Sequence, residues 1–345
     1  MKPFAPKTIE KKYASLGLSK ETIDLLHAYY LCFANLYGVI SVGDAWNVFK
    51  HYEGSKLLRK KDFIAASGIV QREADHPYTV LELKQAYKGE TTDDPAERLI
   101  VNNRLIGTGL RKYVLLYNTE DMQGNKPYYL PAEKAMLMAF VEDRFFLSEE
   151  GKQMVRFLGG LKTGGKYKTY DGVPRGDILD TDGNPAGGRR LSDFVFYTQE
   201  EQFEIGFVKS DAKKEKLRQE YKKTALDKML DLIFIEIQTG GYRPEKGMGN
   251  TLKLLFEFLD RELGADLTRA QYERFLKLYT DLNNHSNLWL NCGWQPVELG
   301  RRSPHKGPAV IYAGPNMKKM FEDGTLDRAE YEKELASLGI RLIVE

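Results

Sequence analysis

Cysteine is scarce in this chain: Cys32 and Cys292 are the only two, and they stand far apart. Two distant thiols exclude a disulfide framework and a four-cysteine zinc centre, and such usage fits a reducing compartment, so the expected address is cytoplasmic. Long apolar runs are lacking as well. Residues 1–20 are polar and basic, without an apolar stretch of signal-peptide length, and no uninterrupted run approaches the ~18 residues of a membrane span. The expectation is a protein that is neither secreted nor a membrane protein. An excess of one charge is also missing: 51 Lys+Arg stand against 49 Asp+Glu, a formal net charge of +2. Dividing the chain at residue 150 leaves each part close to neutral, which excludes an acidic or basic tail. Histidine is sparse too. His27, His51, His76, His285 and His305 show no metal-ligand spacing and adjoin no nucleophilic-serine motif, so neither a metal nor a cofactor is expected.

What is present is a globular composition, 42% apolar over 345 residues. At ~100 to 200 residues per domain, that length suggests two domains. Ser19 is an N-cap, and Leu18 and Ile23 form a hydrophobic staple for a helix ending at Gly38. Two adjoining apolar rows along it, one through Ile23, Leu26, Tyr30 and Phe33 and one through Leu25, Tyr29, Cys32 and Leu36, mark it as central. Ser41 caps a second helix carrying Trp46 and Phe49, and a third covers about Lys60 to Arg72. The period then changes to short strands at Tyr78–Glu82 and Leu99–Val101. Three helices followed by two strands across a long polar connection are the order of a winged helix.

Further helices are expected at about 109–117, from Pro131 to about Phe146, from Ser148 to Leu158, from Asp211 through Ile237, from Asn250 to Gly264, and from the capping box Thr268–Gln271 to Asn283. Asp327 to Glu330 caps another, which Gly339 closes before a strand from Ile340 to Val344. Residues 151–190 hold 10 of the 31 glycines with little periodicity, which places the domain boundary there. The expected fold class is α+β, mainly α. A winged-helix-like domain with a small hairpin (1–150) is followed by a glycine-rich connection with a possible hairpin (151–200) and a helical domain with a short C-terminal strand (201–345).

No catalytic motif withstands inspection. Gly160 to Lys166 has the spacing of a phosphate-binding loop, but Tyr167 stands where Ser or Thr would hold magnesium. Gly172 and Pro174 occupy the place of the helix whose N-terminus would bind the anion. Asp177, Asp180 and Asp182 near Gly183 fail the calcium-loop register, with Ile178 at the first ligand position and Arg189 at the bidentate one. They read as turn residues. His285 and Cys292, set among Asn283, Asn284, Asn287 and Asn291, would be the base and nucleophile of an enzyme, although adjacent placement on one turn is unusual for such a pair.

The most distinctive text runs from Asn283 to Leu299. Trp289 and Trp294 are large apolar anchors around a turn at Gly293, and Pro296 opens a short helix. Asn284, Trp289, Gly293, Pro296, Glu298 and Leu299 resemble a signature of uncharacterised bacterial proteins, in which a helical domain precedes a zinc tail like that ending the SecA ATPase. The resemblance implies a bacterial, cytosolic origin and brings no activity with it. The tail's cysteine ligands do not occur after Leu299, so zinc is not carried over.

A basic group surrounds the third helix: Lys56, Arg59, Lys60, Lys61 and Arg72, with Lys84 on the hairpin. Clustered cations of this kind release counterions when they neutralise phosphates, although Asp62, Glu73 and Asp75 lie among them and an ordinary solvated helix face has the same look. The resulting expectation is a non-catalytic cytosolic module that binds a macromolecule, DNA first or another protein, with no membrane partner. The competing expectation is an enzyme with a small-molecule site at the domain junction, near residues 160–190 and 285–292. A structural protein of a phage or plasmid is a third.

Overall fold

A computed structural model describes residues 2–87, 92–107, 112–168, 173–240, 251–302, 309–312, 321, 327–337 and 340–344. The fold is α+β and mainly helical, with strands confined to small sheets. The chain opens with α1 (Pro6–Ser15) and the central α2 (Lys20–Tyr37), which Ser19 caps through the amide of Thr22. Both apolar rows of α2 are covered, and Leu26, Tyr29, Tyr30, Cys32, Phe33, Leu36 and Tyr37 are all buried. There follow β1 (Val39–Ser41), α3 (Val42–Glu53), α4 (Lys60–Val70), β2 (Tyr78–Leu81), a single turn α5 (Leu83–Ala86) and β3 (Leu99–Asn102).

The three strands form an antiparallel sheet in the order β1-β3-β2, with Ile40 opposite Ile100 and Val80 opposite Ile100 on its other side. Side chains alternate across a pleated sheet, and here both faces are covered. Ile40, Tyr78, Val80 and Ile100 join an aromatic-rich core with α1 to α4, while Val39, Leu81, Leu99 and Val101 join a second core built from the rest of the chain up to Trp289. The unbroken apolar text of β3 is the mark of such two-sided burial.

Beyond the sheet, the expected helix near 109–117 is α6 (Val114–Gln123), with residues 108–111 outside the described ones. The helix expected from Pro131 to about Phe146 is shorter. Its helical part is α7 (Lys134–Met138), followed by a 3-10 turn and extended backbone at Glu142. Asp143 Oδ1 then accepts from Phe145 N at 3.1 Å and starts a separate 3-10 turn, so the supposed apolar flank is two short elements. Next come α8 (Glu149–Gly159), capped by Ser148, and an antiparallel pair, β4 (Lys166–Lys168) with β5 (Pro174–Asp177). After β6 (Val195–Phe196) and α9 (Gln199–Phe207), the long helix expected from Asp211 is divided into α10 (Asp211–Tyr221) and α11 (Ala225–Thr239). The break is β7 (Lys223–Thr224), which pairs with β6, and Thr224 makes a capping box with Asp227 to restart the helix.

Asn250, expected as a cap, lies outside the described residues. The helix there is α12 (Thr251–Glu257), which widens into a π-helical turn at Phe258–Glu262. α13 (Arg269–His285) carries the expected capping box of Thr268 and Gln271. α14 (Pro296–Arg302), β8 (Ala309–Tyr312), a helix at Arg328–Ser337 and β9 (Ile340–Ile343) follow, with β8 and β9 parallel. Gly339 lies outside the described residues.

By packing, the chain divides into Met1–Pro296 and Val297–Glu345. Leu158, Leu161, Ile178, Leu191 and Phe194 share a core with Val39 and Trp289, so the glycine-rich stretch after residue 150 packs inside the first unit and does not link two. No helix of the described residues is long and apolar enough to cross a membrane.

Candidate functional site

The basic residues singled out from sequence fall into separate places. Lys56 lies in the turn between α3 and α4, Arg59 is the residue before α4, and Lys60 and Lys61 are its first two residues; all four are exposed. Leu58, 4% exposed, anchors the turn in the core and leaves Lys56 and Leu57 outside. Arg59 is paired with Asp62 at 2.6 Å, whereas Lys56, Lys60 and Lys61 have no ion-pair partner among the described residues. α4 has no side-chain N-cap. Of its first amides, that of Asp62 donates to the Arg59 carbonyl at 3.0 Å, and no side chain caps those of Lys60 and Lys61.

Arg72 sits past the other end of α4, a helix about 16 Å long at 1.5 Å per residue. Its Nε donates to the carbonyl of Lys2 at 2.9 Å, and its guanidinium lies 4.2 Å from the ring centre of Phe4. It fastens the N-terminal segment and does not share the lysine group. Lys84 lies on α5 and is paired with Asp93 at 3.2 Å, both side chains being largely exposed. Between α4 and the β2–β3 pair, Arg98 donates to Glu82 at 2.8 Å and to Ser67 Oγ at 3.1 Å, and its guanidinium fills the space over Gly68. Ala65 is exposed on α4, whereas the space over the half-buried Gly68 is taken by Arg98.

The tryptophan segment has a different part. Trp289 is fully buried, donates from Nε1 to the Asn35 carbonyl at 2.8 Å, and from its amide to Gln238 at 2.8 Å. Gln123 donates to the carbonyls of Tyr37 and Trp289, each at 2.8 Å, tying α6 to both. Trp294 Nε1 reaches the Pro127 carbonyl at 2.8 Å. Gly293 has a φ of +84°, and a Cβ there would stand 3.0 Å from the Tyr37 ring. Asn284 lies in the last turn of α13, Pro296 opens α14, and Glu298 and Leu299 are half-buried on it.

The two halves of the enzyme expectation are not brought together. His285 lines a cavity of about 340 Å³ with Asp143, Arg144, Gln238 and Asn287, and no described residue of 160–190 lines it. Cys292 does not line it either. It is 1% exposed, and burial pushes its thiol up to about 11, the wrong direction for a nucleophile. His285 Nδ1 is 2.9 Å from the Asp281 carbonyl one turn back. In the 160–190 stretch, Lys168 holds Asp260 at 2.6 Å and Asp266 at 3.0 Å, and Thr163 donates to the Leu263 carbonyl. Gly165 leads into β4, not into a helix, so the phosphate-loop geometry is absent there. Asp180 accepts from the amides of Asp182 and Asn184, the turn role expected of it.

One constellation escapes sequence reasoning. His27, on α2, and His76, just before β2, are stacked with ring centres 4.7 Å apart, and both face Glu73. Burial works to raise the Glu73 carboxyl, but the hydrogen bond with His76 and the neighbouring His27 and Tyr13 outweigh it and hold the carboxyl below its usual range. Burial lowers His27, with Glu73 opposing. The three residues share no motif spacing; only the placement of α2 beside the segment from α4 to β2 makes them neighbours.

Compared with known proteins, the chain matches no family model, no curated protein and no solved structure.

Proposed function

We propose that residues 20–102 are a winged-helix unit of a non-catalytic, cytosolic protein that docks duplex DNA. In this reading α4 is the recognition helix, and the lysine-flanked turn before it contacts phosphates. What carries the reading is connectivity: helix, strand, helix, helix and two further strands, closed as an antiparallel sheet in the order β1-β3-β2. The uncapped start of α4 and the free Lys56, Lys60 and Lys61 add a cationic edge at the end of that helix. The exposed Ala65 keeps part of the helix face low, and Lys84 lies on the hairpin side of it.

Anisotropy of a labelled duplex, titrated at several salt concentrations, tests this. Binding weakens steeply with salt, and Lys60→Ala with Lys61→Ala flattens the slope of log K against log salt by ~0.9 per lost phosphate contact. Lys152→Ala, which removes an exposed cation paired with Glu149 on α8, leaves the slope unchanged. Absence of binding at low salt overturns the proposal.

A further inference from the structure

His27 lies within α2, Glu73 and His76 follow the end of α4, and Tyr78 begins β2. Asp75, between Glu73 and His76, has a positive φ of 64°, a backbone state shared among described non-glycine residues only with Cys292. Such a turn is uncommon for a residue with a side chain, and aspartate tolerates it better than most. It bends the chain so that the side chains of Glu73 and His76 both meet His27. One carboxylate oxygen, Glu73 Oε2, is 3.0 Å from His76 Nε2 and 3.4 Å from His27 Nε2, and all three atoms lie within 4.8 Å of one another.

A tetrahedral zinc ion, bound at ~2.0–2.2 Å by nitrogen and oxygen, needs its ligand atoms ~3.3–3.5 Å apart. The two distances to Glu73 fall near that edge. The outer nitrogen of His27, Nδ1, is 2.6 Å from the Tyr78 hydroxyl, so a proton held at Nδ1 leaves Nε2 free to ligate, the outer-sphere arrangement usual for metal-bound histidine. The Tyr13 hydroxyl stands 3.4 Å from His27 Nε2, beside the same space. The Glu73 side chain is 8% exposed and those of His27 and His76 are 22% and 30%, so the cluster is sheltered yet open on the imidazole side.

We propose that His27, Glu73 and His76 bind a divalent transition metal of the zinc class, through two imidazole nitrogens and one carboxylate oxygen with the fourth position left to water. Imidazole with a single carboxylate selects such borderline cations over magnesium or calcium, which favour all-oxygen shells. The ion clips α2 to the segment leaving α4 and makes the seating of that helix depend on metal. This does not rest on DNA binding; its measurement uses metal alone.

Calorimetric titration of the full, metal-stripped chain with zinc chloride should give one equivalent, and cobalt(II) should give the visible d–d bands of a tetrahedral site. His76→Ala and Glu73→Gln should each weaken the stoichiometric event more than about tenfold, and His285→Ala should not change it. The half-exposed His76 can be replaced without opening a core, and circular dichroism of that variant checks that it folds; should it not, His76→Gln is read in its place. No one-equivalent event in the wild-type chain, or one untouched by the His76 and Glu73 substitutions, overturns the proposal and leaves a hydrogen-bonded cluster only.

Discussion

The close approach of Gly38 to Trp289 shows how much of this chain rests on single positions. Gly38 ends α2 with a φ of +71°, and a Cβ there would lie 2.6 Å from Trp289 ring atoms. Gly38→Ala combines backbone strain with overpacking and should cost about 2 to 4 kcal/mol in equilibrium urea unfolding. Gln123, 5% exposed, gives its amide to the carbonyls of Tyr37, Val39 and Trp289. Gln123→Leu keeps the bulk but strands these acceptors, and a comparable loss is expected in the same measurement. Trp289 was legible as an anchor and Gly293 as a turn because a tryptophan beside a turn glycine is a local signal. Gln123 was not legible, because its partners lie far away in sequence and nothing about an isolated glutamine says whether it is buried.

Among the elements, capping was the most readable feature. Ser19, Ser41, Ser148 and Thr268, each expected as a cap, accept from an amide of the helix they precede, and Thr224, expected inside a helix, does the same. α4 departs from this pattern, with Arg59 in the cap position at φ −87° and ψ 150°, the backbone a capping serine uses. Arg59→Ser should therefore raise stability by about 0.5 to 1 kcal/mol in urea unfolding, while duplex affinity falls in the anisotropy titration, since one change caps the start of α4 and removes a cation. A stability gain with undiminished affinity would mean that this end of α4 does not touch DNA. Helix interruptions were harder to read. Leu217, Tyr221 and Ala225 keep helical spacing across the polar Lys222 to Thr224, and the pairing of β7 with β6 and the Thr224 capping box set where the helix stops and restarts. Similarly, the flank from Ala135 to Phe146 has helical spacing, yet Glu142 is extended and Asp143 turns the chain.

At the level of the whole molecule, one sheet stands between two cores. Ile40, Val80 and Ile100 face the aromatic cluster of α1 to α4, and Val39, Leu81 and Val101 face a cluster that includes Leu158, Phe194, Ile233, Phe275 and Trp289. A chain cut after residue 150 loses most of the second cluster and exposes the second face of the sheet. Each stripped Val or Leu forfeits ~1.5–3 kcal/mol of burial. Such a fragment should show broad, noncooperative melting by circular dichroism, whereas a chain ending at residue 296 should retain a sharp transition. A cooperative fragment of residues 1–150 would show that the first core is self-sufficient.

The mainly helical class, the capped helix starts, the strand text at 78–82 and 99–101 and the anchoring role of Trp289 followed from the sequence alone, because each depends on residues within a turn or two of one another. Only the tertiary structure decided that the glycine-rich stretch belongs to a shared core, that Arg72 is committed to Lys2 and Phe4 while Lys56, Lys60 and Lys61 stay free, and that His27, Glu73 and His76 converge. Those outcomes depend on which helices pack together, and long-range packing sums many weak contacts that no local spacing records.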